Sequence, residues 1–169
     1  PFGTNPTDVT QAGWGVVYHQ DEDPEVKEAL KPLVQHRGQQ IGNCQIVKVL
    51  EYDGQQNAHD WLADHGVSPT DVQPWHVPYY LLLVGSPARI PYSFGHLLDL
   101  EYAVGRLHFD QVSDYTRYVD SLLAYEAGQA PPRGKEAVFF GTRHQFDKAT
   151  QISADLLIDP LAGGVPTQE

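Results

Sequence analysis

Apolar and polar positions follow two rhythms along this chain, and the points where the rhythm changes predict its elements. Trp14 to Tyr18 reads as a first strand. Val26, Ala29, Leu30, Leu33 and Val34 then recur at helical spacing behind Asp21-Glu22-Asp23 and Pro24. That order is an N-cap with proline in the first turn, the acidic trio lying beside the positive end of the helix dipole. Gly38 and Gly42 are expected to break this helix, and Cys44 to Tyr52 alternates Ile46 or Val47 with polar neighbours as a strand does. Asn57 predicts the cap of a short helix to His65, stopped by Gly66, and Ser68 to Pro74 reads as a turn-rich connection. Tyr79 to Val84 runs without a polar break, the pattern of a central strand covered on both faces. From Asp110 a second amphipathic helix carries Val112, Tyr115, Val119, Leu122 and Leu123 as far as Glu126, with its break over Gly128 to Gly134. Glu136 to Gly141 is the next expected buried strand. Asp147 predicts the cap of a last helix to about Asp159, stopped by Pro160 and the Gly163-Gly164 pair.

Strands alternating with helices predict an α/β fold, a three-layer sandwich with a mostly parallel sheet. Residues 1–12 read as an arm or leader outside the core, and residues 13–169 as one α/β domain. The chain holds no Met, begins at Pro1 and stops just after a helix, so it is expected to be a segment of a longer polypeptide, trimmed or processed. Removal of an initiator Met before Pro accounts for the start alone. Eleven basic residues against twenty-two acidic ones give a net charge of −11, which argues against a nucleic-acid or anionic-membrane partner. The acid excess fits ordinary solubility, and it would also fit a cationic substrate. No apolar run approaches the ~18 to 20 residues of a membrane helix, and the expected location is cytoplasmic.

Gly85, Pro87 and Pro91 forbid a helix directly after the Tyr79 to Val84 strand, so the loop from Gly85 to Asp99 is the expected binding rim at a strand's carboxyl end. Cys44 is the sole thiol; it rules out an intrachain disulfide and reads as a small buried residue at the beginning of a strand, on the wrong edge for a nucleophile. His65-Gly66 is a helix stop. The eight histidines include no pair three or four apart on one helix, and no metal or other cofactor is expected. Trp75 to Tyr80 packs aromatics at a strand entry, for core or interface. Gly85-Ser86-Pro87 lacks the residues of a phosphate loop and of a hydrolase nucleophile elbow.

Leu83-Val84-Gly85, Ile90-Pro91, Asp99 to Tyr102 and Gly105-Arg106-Leu107 occur in that order, and Tyr125-Glu126 closes the helix that follows. In these motifs the chain resembles, over about Gly13 to Leu161, the caspase-like cysteine peptidases of the gingipain type (clan CD). The resemblance implies a caspase-like fold and the amino-terminal part of a catalytic domain, forming sheet and one wall of a cleft for a protein or peptide substrate. The catalytic His and Cys are then expected beyond Glu169, on the remaining segment of the same polypeptide or on a second processed chain. This segment alone is expected to be inactive. By the same resemblance Asp99 lines a pocket for a basic substrate side chain, with Glu101 an equal candidate in the same segment. Asp99 also reads as a turn residue bonding nearby N–H groups or as the partner of Arg106, itself read as a structural cation. The alternatives are a non-catalytic α/β partner-binding or scaffold module, and a flavodoxin-like ligand-binding domain.

Overall fold

Val16 and Val17 are both fully buried although they point to opposite faces of one strand, so that strand is covered on both sides. It is β1 (Trp14–His19), and it pairs in parallel with β2 (Val47–Tyr52) and with β3 (Tyr80–Val84), which in turn pairs in parallel with β4 (Ala103–Leu107). The sheet order is β2-β1-β3-β4. This computed structural model describes residues 4–68, 71–129 and 137–164. The chain separates into two compact units, Pro1–Ala130 and Pro131–Glu169.

Two apolar layers flank the sheet. Leu30 and Leu33 of α2 (Pro24–Ile41) and Tyr115 and Val119 of α5 (Val112–Glu126) pack with Val16, Tyr18, Val84 and Leu107. On the other face Trp61 and Leu62 of α3 (Ala58–Asp64) and Phe94 and Leu98 of α4 (Tyr92–Leu98) meet Val17, Leu81 and Leu83. Each large side chain so buried contributes roughly 1.5–3 kcal/mol relative to leaving it in water. A parallel α/β sheet with helices on both faces is therefore what the alternating pattern produced.

The caps are local and follow the sequence: Asp23 accepts from the Glu25 N–H at 2.8 Å, and Asn57 from the Asp60 N–H at 3.0 Å. Three expectations for this unit are corrected. Helix α2 runs through Gly38 to the buried Ile41 and closes at Gly42 (φ 69°), because burying Ile41 outweighs the ~1 kcal/mol cost of an interior glycine. Cys44 is exposed rather than buried, since Asn43 caps a 3₁₀ turn over Cys44–Ile46 that sends Ile46 inward and delays β2 to Val47. The rim from Gly85 to Asp99 is not all loop; a turn in which Ser86 C=O accepts from the Arg89 and Ile90 N–H groups leads to Pro91 and then α4. Proline denies a helix only in the turns where its N–H is needed, and at a cap it is not.

Residues 4–12, expected outside the core, are tied to it: Ala12 ends α1 (Val9–Ala12) with no exposed surface, its C=O accepts from the Tyr79 N–H at 2.8 Å, and Tyr80 OH donates to Pro6 C=O at 2.5 Å. In the second unit, residues 137–141 form no strand, and Val138 and Phe140 are 92% and 83% exposed. Apolar content alone does not make a strand, which needs a ladder partner. The last helix is capped by Asp147 and continues past Pro160 as α6 (Lys148–Ser153), a π turn over Ala154–Ile158 and α7 (Asp159–Gly163). The π turn, in which the Asp159 N–H reaches Ala154 C=O, lets Pro160 enter at the first turn of α7. The expected breaks at Ser68 to Pro74 and Gly128 to Gly134 fall partly, and the residue Glu136 wholly, outside the described residues. No helix among the described residues is long and apolar enough to cross a membrane.

Candidate functional site

From β1 the chain leaves through α2 toward β2, and from β3 it leaves through α4 toward β4, so the two connections diverge at the carboxyl ends of two adjacent strands. A crevice opens at such a point, where open α/β sheets take their ligands. Here it is a cavity of about 290 Å³ between the start of α2, the turn after β3 and the segment after β4. Gly85 reaches it in a conformation (φ 142°) that other residues rarely adopt, and a Cβ there would sit 3.4 Å from Glu22 Oε2. Ile90, fully buried, anchors the turn from below.

Glu22 is the dominant charge in this crevice, its side chain only 9% exposed. Its Oε1 accepts from the Asp23 N–H at 3.1 Å and from Arg89 Nη1 at 3.3 Å, and the same Arg89 nitrogen donates to Asp21 C=O at 3.1 Å. Asp23 and Asp110 add negative charge to the lining, and His108 Nε2 lies 3.8 Å from Asp110 Oδ1. Tyr115, buried in the wall, accepts from the Phe109 N–H at 3.1 Å through its hydroxyl oxygen. Burial raises the Tyr115 pKa, opposed by that hydrogen bond and reinforced by Glu22, so the phenol stays protonated at neutral pH. Burial, and after it Glu22, pushes Tyr18 up as well. Ser86 borders the crevice, but among the described residues no histidine hydrogen-bonds its hydroxyl. The crevice is built to hold a group rather than to attack one.

The sequence candidates lie elsewhere. Asp99 follows α4 and accepts from the Val104 N–H at 3.4 Å, the turn role the sequence allowed for it. It borders two cavities, of about 630 and 480 Å³, that also touch Val104 and Gly105 of β4. Glu101 is exposed in the turn before β4. Arg106 does not pair with Asp99; its Nη1 donates to Gly85 C=O at 2.9 Å and its guanidinium lies over the Tyr92 ring at 5.2 Å. It fixes the turn that carries the crevice. The hydroxyl of Tyr102 is buried with no hydrogen-bond partner among the described residues, and burial, then Asp71 and Glu101, raise its pKa.

Among the described residues β4 lies at the edge of the sheet. The Ala103 N–H donates to Tyr79 C=O and Leu107 C=O accepts from the Gly85 N–H, so Ala103, Gly105 and Leu107 turn their peptide groups toward β3. Val104 and Arg106, between them, turn theirs outward. Cys44 stands before the amino end of β2, across the sheet from the crevice. His65 caps α3 with Nδ1 2.8 Å from Trp61 C=O, and Gly66 follows at φ 74°, the helix stop of the sequence reading. Trp75 is 61% exposed while Val77 beside it is fully buried.

Gly85, Ser86 and Arg89 of the crevice fall within the expected rim from Gly85 to Asp99, whereas Glu22 and Tyr115 read in sequence only as parts of helices. The acidic trio was absorbed into a helix cap, yet the loop after the first strand of a doubly wound sheet borders its switch point, and that rule marks Glu22. No family model, curated protein or solved structure matches this chain.

Proposed function

We propose that this chain is the amino-terminal portion of a caspase-like cysteine endopeptidase, its three-layer sheet forming one wall of a cleft for a protein or peptide substrate. The carrying observation is the order β2-β1-β3-β4 with the Val104 C=O and the peptide groups of Arg106 turned outward beyond it, because further strands added at that edge would set their carboxyl ends beside the crevice. A thiolate there would attack the peptide carbonyl, expel the amine and leave an acyl-enzyme for water to cleave. Cys44, exposed on the amino side, does not fit that thiolate, and the proposal follows the resemblance in assigning the nucleophile and its histidine to polypeptide following Glu169. Asp99 and Glu101 keep the substrate-pocket role that the resemblance gives them, with Asp99 beside the open edge where incoming strands would close over it.

The test is labelling of the source polypeptide with a thiol-reactive peptidyl probe, read by intact mass. The 169-residue chain by itself is expected to leave fluorogenic peptides uncut, and the source polypeptide to take the label on a cysteine other than Cys44. Label confined to Cys44, or none, overturns the proposal. A second reading, a non-catalytic partner-binding module, is favoured by the exposed Val138, Phe140, Phe146 and Leu156 of the second unit, which a protein partner would cover.

A further inference from the structure

We infer that the crevice around Glu22 is a binding site for a guanidinium or alkylammonium group, whether or not the chain belongs to a peptidase. The Glu22 side chain is more than nine-tenths buried, and only one of its carboxylate oxygens is spent. Among the described residues Glu22 Oε2 has no hydrogen-bond partner; it lies over the bare Cα of Gly85 at the wall of the cavity. A carboxylate left half-satisfied in a cavity of about 290 Å³ presents a fixed acceptor to whatever enters.

The sign of the ligand follows from what surrounds that oxygen. An anion would use the free N–H groups at the start of α2, but this chain's own carboxylates already hold them: the Asp23 N–H donates to Glu22 and the Glu25 N–H to Asp23. Pro24 has no N–H to offer. Glu22, Asp23 and Asp110 outnumber Arg89, so an entering cation gains and an entering anion is repelled. Phe109 and Tyr115, edge to face at 5.2 Å, add aromatic surface suited to a flat guanidinium. Arg89, half exposed and reaching Glu22 from outside, already places a guanidinium on the first oxygen, so an incoming one either joins it on Oε2 or displaces it.

The guanidinium could come from a free small amine or from an arginine side chain, and the test separates the two. Amide signals of Glu22, Gly85 and Ser86 in the isotope-labelled 169-residue chain are followed by NMR during titration with agmatine, N-acetylarginine amide, the neutral N-acetylnorleucine amide and inorganic phosphate. Saturable shifts are expected with the first two and none with the last two; saturation by agmatine alone assigns a free amine, and by both an arginine side chain. Glu22→Gln is expected to weaken binding about tenfold or more. Arg89→Gln, by removing the internal competitor, is expected to tighten it, a gain that a merely structural ion pair would not produce. Should Glu22→Gln fail to fold, Arg89→Gln together with the exposed Asp110→Asn, expected to weaken binding about twofold, decides the matter. Equal shifts with the norleucine amide, or titrations that neither Arg89→Gln nor Asp110→Asn moves, overturn the inference. Neither result depends on the thiol-labelling experiment.

Discussion

Glu126 ties the last turn of α5 to α2 through a forked pair, its two oxygens 2.7 and 2.8 Å from the Arg37 guanidinium, with His36 Nε2 also at 2.7 Å. The Arg37 hydrogen bonds, helped by His36 and opposed by desolvation, lower the Glu126 pKa from 4.5 to about 2. A carboxyl whose folded pKa lies below its unfolded value stabilises the protein fully above the unfolded value and stops doing so as pH falls through the folded one. Stability measured by urea unfolding is therefore expected to decline between pH 4.5 and about 2, and Glu126→Gln to flatten that part of the profile. With its side chain 24% exposed, the pair is worth on the order of 1 kcal/mol rather than the full shift. An unchanged slope in Glu126→Gln would assign the acid sensitivity elsewhere. The caps of Asp23, Asn57 and Asp147 were legible at this scale because a cap bonds residues two or three positions away. Glu22 looks the same as its acidic neighbours in sequence; what distinguishes it is Arg89, 67 positions along.

At the scale of elements, α2 shows how burial overrides local preference. It holds Pro32 in its interior, at an exposed position, where the ring removes the N–H that would otherwise donate to the Glu28 C=O. An interior proline is less favourable than alanine by ~3 kcal/mol in a helix, offset by ~0.4–1 kcal/mol because it also stiffens the unfolded chain. Pro32→Ala is accordingly expected to stabilise the protein by about 2–2.6 kcal/mol in chemical denaturation, and a loss of stability would mean that the proline shapes a bend the packing needs. Helical period placed α2 and α5, since a stripe that must face a sheet has to repeat every three to four residues, and a cap with a glycine stop placed α3. The apolar run ending at Gly141 misled for the complementary reason: its composition suits a strand, but hydrogen bonding to a neighbour is not written in composition.

For the whole molecule, register depends on a few close approaches between distant segments. Gly13 enters β1 at φ 71°, and a Cβ there would come within 2.5 Å of Ile46 C=O and 3.2 Å of Pro78 Cβ. Three chain segments therefore converge on a position that only glycine fills, and Gly13→Ala is expected to cost several kcal/mol, about 1–3 of it from backbone strain. Thermal unfolding would measure it; a wild-type melting temperature would show that the amino edge of the sheet can spread. The sequence by itself determined the parallel α/β class, the helices α2, α3 and α5 and the caps at Asp23, Asn57 and Asp147, because periodicity, proline and capping residues act over one or two turns. Tertiary structure alone decided the strand order, the separation into two units, the exposure of Cys44 and the meeting of Glu22, Gly85, Arg89 and Tyr115 at one sheet edge. Those depend on which strands lie side by side, and two strands of equal apolar pattern compete for the same place until the whole sheet is assembled.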